Sequence, residues 1–182
     1  MKYIALLRGI NVGGKNKISM RDLKACFENA GFSNIMTYIN SGNVIFDSEI
    51  ESTTKLSKRC EGIIEEEFGF PIRVAIMDIN TLKEALEHVP EWWGEDQNSK
   101  HNAIFVIQPA TAKEVSEEVG EIKPEYEKIY VYKDIIFWSA PLKTFSRTQW
   151  SKVVGKKAYN HITIRNANTT KKLLELVLYG YH

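Results

Sequence analysis

At 182 residues, with 43% hydrophobic and 26% charged residues, the chain has the composition of an ordinary globular protein of one large or two small domains. No apolar run approaches the roughly 20 residues that span a bilayer, and the short apolar run after Met1-Lys2 lacks the length and cleavage site of a secretory signal. The expected location is the cytoplasm, with no membrane association.

Net charge is only +1, but it is unevenly spread. Residues 1–24 hold six bases against one acid, residues 135–174 hold eight bases and no acid, and residues 25–134 carry a net −11. This patterning fits a positive surface for an anionic ligand, or a basic face set against the acidic middle.

Tyr3 to Arg8 reads as a strand, followed by the loop Gly9-Ile10-Asn11-Val12-Gly13-Gly14-Lys15. Ser19 is a candidate N-cap for a helix from Met20 to Ala30, closed by Gly31. Ile35 to Ile39 and Val44 to Asp47 read as strands joined by the turn Asn40-Ser41-Gly42-Asn43. A helix is expected from Ser52 to Phe68, ended by Gly69, and a fourth strand from Ile72 to Ile79. The order is β-α-β-β-α-β.

Thr81 to His88 reads as a short helix, followed by an acidic connection holding Trp92-Trp93, which is expected to pack between the two halves. The pattern then restarts. Ala103 to Gln108 is a strand, and Thr111 to Gly120 is a helix opened by a Thr-Ala-Lys-Glu capping box. Lys128–Tyr132 and Ile135–Ser139 form a hairpin across Lys133-Asp134. Residues 142–157 read as helical or irregular, and Ile162 to Arg165 as a short strand. The closing helix runs from Asn168 to Tyr179, capped by Asn168 or Thr169, with Leu173, Leu174, Val177 and Leu178 on its buried face.

The expected fold is α+β: two tandem ferredoxin-like (βαββαβ) units with an extra C-terminal helix. The expected division is 1–79 for the first unit, 80–100 for the connection and 101–182 for the second unit with its helix. Ile4-Ala5-Leu6-Leu7, Val74-Ala75-Ile76-Met77, Ile104-Phe105-Val106-Ile107 and Ile135-Ile136-Phe137-Trp138 are apolar without alternation, so these strands should be covered on both faces.

The first loop is the leading site candidate. Arg8, Asn11, Gly13, Gly14 and Lys15 combine positive charge, a two-way amide and a pliable backbone ahead of a helix N-terminus, which is a natural setting for an anion. The spacing is neither that of a dinucleotide fingerprint nor that of a P-loop. Ser41 and Asn43 at the hairpin tip have the chemistry of ligand contacts, but nothing in the sequence requires hairpin and loop to converge. A second polar, acid-free stretch contributes Lys152, Arg165, Asn166 and Asn168. At both places the alternative is a turn or cap serving only the fold.

Cys26 and Cys60 fall in expected helices and read as small buried residues; His88, His101, His161 and His182 are scattered. With no metal-ligand spacing and no identifiable base–nucleophile pair, neither a structural metal nor a cofactor is expected, and no reaction is assigned.

Leu6-Leu7-Arg8-Gly9-Ile10-Asn11-Val12-Gly13-Gly14, the segment Thr37 to Val44 with its Ser41-Gly42-Asn43-Val44, and the closing Thr163 to Leu173 segment resemble the bacterial family catalogued as domain of unknown function 1697. The likeness runs over essentially the whole chain. It departs at Arg165-Asn166-Ala167-Asn168-Thr169, where alanine stands in place of the family's tryptophan. The resemblance implies a duplicated ferredoxin-like arrangement and carries no activity, substrate or cofactor. The expected function is binding of an anionic small molecule or nucleic acid. An enzyme with an Arg/Lys/Asn site and a partner-binding module are the alternatives, and oligomeric state is left open.

Overall fold

Tyr3-Ile4-Ala5-Leu6-Leu7 is apolar at every position, and such a segment is stable as a strand only with both sides shielded from water. In the computed structural model, which describes residues 1–181, it forms the strand β1 (Lys2–Leu7) with residues 3–7 all buried. His182 lies outside the described residues.

The chain divides into Met1–Leu82 and Lys83–His182. In the first unit β1 is followed by α1 (Met20–Asn29), β2 (Ser33–Tyr38), β3 (Asn43–Asp47), α2 (Thr53–Phe68) and β4 (Val74–Asp78). The four strands form one antiparallel sheet in the order β2-β3-β1-β4. Ala5 sits opposite both Val44 and Ile76. Ser19 caps α1 by accepting from the Asp22 N–H, and Ser52 caps α2 by accepting from the Lys55 N–H. Each cap satisfies a helix-terminal donor that would otherwise lack a partner.

Tyr3, Ala5, Leu7, Val44 and Phe46 pack with Leu23, Phe27, Leu56, Cys60 and Ile64 in one core. The intervening residues Ile4, Leu6 and Ile45 are also buried, at 1%, 1% and 2% exposure, so both faces of this sheet are shielded.

A further helix, α3 (Ile79–His88), leads into the second unit, which holds β5 (Ser99–Val106), α4 (Ala112–Val119), β6 (Lys128–Tyr132) and β7 (Ile135–Pro141). Three short 3-10 helices follow, Leu142–Arg147, Trp150–Gly155 and Lys157–His161, then β8 (Ile162–Asn166) and α5 (Ala167–Tyr179). This sheet is again antiparallel, in the order β6-β7-β5-β8. Its first strand starts at Ser99 rather than at Ala103, because pairing with β7 continues out to Ser99 opposite Pro141. The expected capping box on α4 is present in both halves, Thr111 and Glu114 each accepting the other's N–H. Trp93 packs within this unit: its ring meets Phe137 edge-on at 4.9 Å and its indole N–H donates to the Asn102 carbonyl.

The second of these 3-10 helices, Trp150–Gly155, is held at its start by a residue outside it. Glu127 is 2% exposed and accepts N–H bonds from Lys123 (3.1 Å), Gln149 (2.5 Å) and Trp150 (3.1 Å). A buried carboxylate with three backbone donors fixes the second 3-10 turn from outside it.

The closing helix corrects two expectations. Asn166, not Asn168 or Thr169, is its N-cap, accepting from the Thr169 N–H at 2.8 Å. The buried face runs through Ala167, Thr169, Thr170, Leu173 and Leu176, whereas Leu178 is 49% exposed. Thr169, Leu173 and Leu176 are spaced by four and three residues and share a side, from which Leu178, two residues beyond Leu176, is turned by about 200°.

Candidate functional site

The loop between β1 and α1 is built by its own side-chain amides. Asn11, with φ of 55°, accepts the Ile18 N–H on its Oδ1 (2.9 Å). Its Nδ2 donates to the carbonyls of Ile18 (2.9 Å) and Asn40 (2.8 Å). Asn16, with φ of 50°, donates to the Gly9 carbonyl at 3.1 Å. Within this frame Val12 to Lys15 closes a two-residue turn, the Lys15 N–H reaching the Val12 carbonyl at 3.1 Å. Its central residues have φ of 59° and 76°, so Gly13-Gly14 is the pair that can occupy it without strain. The turn is exposed, as are Lys15 and Lys17.

The Asn11 to Asn40 bond joins this loop to the β2–β3 hairpin, and the backbone repeats the link through the Leu7 N–H on the Gly42 carbonyl (2.9 Å). Gly42 packs so tightly that a Cβ there would lie 2.6 Å from Ile10 Cδ1 and 2.9 Å from Leu7 Cβ. Loop and hairpin therefore converge, which the sequence left open. Asn43 is fully buried, its Nδ2 donating to the Tyr38 carbonyl (2.8 Å) and to Ser41 Oγ (3.0 Å). Arg8 places its N–H on the Arg73 carbonyl at 2.9 Å.

Between loop and hairpin lies a cleft of about 490 Å³, lined by Asn11, Gly14, Lys17, Ser19, Met20 and Asn40. It combines an ammonium group, the start of α1 and amide groups, and holds no carboxylate in its lining.

In the second unit a cleft of about 500 Å³ is lined by Asp96, Lys100, His101, Asn102, Asn166 and Asn168, among others. Asn166 and Asn168 are exposed there, at the start of α5. Arg165 is 7% exposed, not a surface residue. It donates to Thr163 Oγ1 (2.8 Å) and the Ile164 carbonyl (3.0 Å), and burial pushes its guanidinium down to about 10. Lys152 lies away from this lining, on the second 3-10 helix. It is exposed, and its ammonium is made more acidic by Lys123 first and also by Lys156.

The expected residues thus form one group in the first unit and one in the second, with Lys152 apart within the second. Two residues that the sequence did not single out as a pair are in contact. The imidazole of His101 meets Ser139 Oγ at Nδ1 (2.5 Å) and the Asp96 carbonyl at Nε2 (2.7 Å). They are 38 positions apart on neighbouring strands, and only the register of β5 on β7 brings them opposite each other. No sequence signal marks the pair, since Ile135 to Trp138 does not alternate and composition gives no register.

Cys26 and Cys60 are buried free thiols, raised to about 11 and about 12 chiefly by desolvation. Among the described residues no three His, Cys, Asp or Glu side chains are grouped closely enough to hold a metal ion, and no helix is long and apolar enough to cross a membrane.

The chain is 32% identical to a solved structure described as the conserved bacterial protein SP0830 from Streptococcus pneumoniae. The match covers 97% of this chain and 98% of that one, with a TM-score of 0.85. No curated protein matches it. A family model described as protein of unknown function (DUF1697) matches residues 1–137, which include the first loop and the hairpin, whereas Arg165 to Thr169 lie beyond the matched stretch. On that match the chain belongs to the DUF1697 family.

Proposed function

We propose that the protein binds an anionic, phosphate-bearing ligand, a small molecule or a nucleic acid, in the cleft between the β1–α1 loop and the β2–β3 hairpin. The observation that carries this reading is the Asn11 clamp. One side chain holds Ile18 on its own loop and Asn40 on the hairpin, so Lys15, Lys17 and the exposed Gly13-Gly14 turn are presented on a fixed frame. A preorganised cationic frame beside a helix N-terminus favours anions, because the ligand then orders little of the protein on binding. Arg8, Ser41 and Asn43 support the frame from behind. Lys152, Arg165, Asn166 and Asn168 form a second polar region, in the other unit.

The scaffold in this reading is a pair of ferredoxin-like units arising from duplication. The strand orders β2-β3-β1-β4 and β6-β7-β5-β8 support it, since the second repeats the first position by position. A cytoplasmic setting agrees with two free thiols, which persist in reducing compartments.

Fluorescence anisotropy tests the reading. Labelled single-stranded RNA and DNA are titrated at low salt, with ATP and pyrophosphate as competitors. Binding should weaken steeply with salt, and by about tenfold when Lys15 and Lys17 are both changed to Glu. No measurable binding to any of these probes would sink the proposal.

A further inference from the structure

Two loops of the second unit are tied together by one carboxylate. Glu127 is buried, and its oxygens accept the backbone N–H of Lys123, from the loop after α4, and those of Gln149 and Trp150, at the start of the second 3-10 helix. The end of α4 is a second tie. Its Val119 carbonyl accepts from Gln149 Nε2 (2.6 Å) and Lys156 Nζ (2.8 Å), and the Glu118 carbonyl also accepts from Lys156 Nζ, at 3.3 Å. These ties gather the side chains of Lys123, Lys152 and Lys156. The Lys123 ammonium comes within hydrogen-bonding reach of Lys152, and its charge is the main cause that holds Lys152 below the usual lysine range; slight desolvation and the charge of Lys156 add to it. Ammonium groups this close repel one another. A carboxylate between them would relieve the repulsion, but among the described residues none lies within 4.0 Å of any of the three. Glu127 is the one acid that bears on Lys152, its effect is the smallest of the causes, and its oxygens are already taken by backbone donors.

The geometry points to the Lys123, Lys152 and Lys156 cluster as a binding site for a doubly charged phosphate group, carried by a small phosphate monoester or present as the free ion. Two ammonium groups within hydrogen-bonding reach of each other call for a partner with several acceptor oxygens and more than one negative charge. A phosphate monoester has three terminal oxygens and a charge close to −2 above neutral pH. A phosphodiester has a single charge, enough for one ammonium and not for the pair. Lys156 is already fixed on the α4 carbonyls, so it supplies charge without being ordered by the ligand, which lowers the cost of binding. Lys123 and Lys152 are exposed and Lys156 is half-buried, so the phosphate docks from solvent and the rest of the molecule stays outside. The cluster lies in the second unit and does not rest on the anion cleft of the first.

The full chain, carrying carbon-13-labelled lysine, is titrated at about pH 8 and low salt with inorganic phosphate, glycerol 3-phosphate and dimethyl phosphate in turn, and the lysine Cε shifts are followed. The first two should give saturable shifts at Lys123, Lys152 and Lys156, and dimethyl phosphate should bind at least about tenfold more weakly. Tighter binding of glycerol 3-phosphate than of phosphate assigns the site to the ester, and the reverse order assigns it to the ion. With phosphate bound, the titration midpoint of Lys152 should rise by about one pH unit, which a lysine serving only the fold would not show. Lys152→Ala should weaken binding about tenfold and Lys152→Arg should keep it. The Lys15→Glu, Lys17→Glu variant, which tests the first-unit cleft, should leave these shifts unchanged. No saturable shift at the three lysines of the wild-type chain, equal affinity for dimethyl phosphate, or wild-type affinity in Lys152→Ala would each overturn the proposal. If a variant fails to fold, as circular dichroism shows, the wild-type titration with its diester control decides the question.

Discussion

Replacing Asn11 by alanine removes the clamp without disturbing a core side chain. Three hydrogen bonds go, to Ile18 N–H, Ile18 carbonyl and Asn40 carbonyl. At about 1 kcal/mol net for each, and less for the exposed bond to Asn40, they total roughly 2–3 kcal/mol. Alanine must also adopt φ of 55°, which costs about 1 kcal/mol more. The expected loss is therefore about 3–4 kcal/mol for Asn11→Ala, and about 1 kcal/mol less for Asn11→Gly, which accepts the same φ freely. The sequence provides its own reporters. Cys26 and Cys60 both lie in the first unit, and Trp92, Trp93, Trp138 and Trp150 all lie in the second. Thiol exposure to a disulfide reagent along a urea titration reads the first unit, and tryptophan fluorescence reads the second. An Asn11→Ala variant within about 1 kcal/mol of wild type by thiol exposure would refute the clamp. Equal losses for glycine and alanine would refute the backbone part of the argument.

Gly42→Ala should cost about 2–3 kcal/mol, since its Cβ would lie 2.6 Å from Ile10 Cδ1 at φ of 82°, whereas Gly31→Ala, with open space at φ of 85°, should cost about 1 kcal/mol by the same titration. Cys60 is protonated in the folded chain up to about 12, while an unfolded thiol ionises near 8.5. Between these values the unfolded state binds fewer protons, so stability falls as pH rises, by up to about 1.4 kcal/mol per pH unit. Cys60→Ala should flatten that alkaline slope in urea melts, and an unchanged slope would contradict it. Lowering the Arg165 guanidinium from 12.5 to about 10 means that burial opposes its charge by about 3 kcal/mol. Arg165→Met should therefore leave the melting temperature unchanged or raise it, and a fall of more than about 5 °C would show that the bonds to Thr163 and Ile164 outweigh the desolvation.

Local chemistry was legible in the sequence. Ser19 and Thr111 cap the helices they were expected to cap, because a cap depends on residues three positions apart, and Ser52, read as the first residue of its helix, is that helix's cap. Unbroken apolar strands correctly implied burial on both faces of the first sheet, as Ile4, Leu6 and Ile45 show. Distant partners were not legible. The second 3-10 helix of residues 142–161 is tied at its start to Glu127, more than 20 positions upstream of Gln149 and Trp150. The start of α5 depends on β8 remaining paired until Asn166 stands opposite Asn102, which selects one cap among several polar residues. The loop–hairpin contact spans 29 positions and the Ser139–His101 pair 38, and in both cases strand register, invisible in composition, makes the contact.

Backbone amide chemical shifts, followed while the full chain is titrated with pyrophosphate and then with a short single-stranded RNA at low salt, test the central claim most directly. The loop–hairpin cleft as an anion site predicts saturable shifts in the first unit confined to Gly13, Gly14, Lys15, Lys17, Met20 and Asn40, lost in the Lys15→Glu, Lys17→Glu variant. Saturable shifts centred elsewhere in that unit, or none there in the wild-type chain, would contradict it.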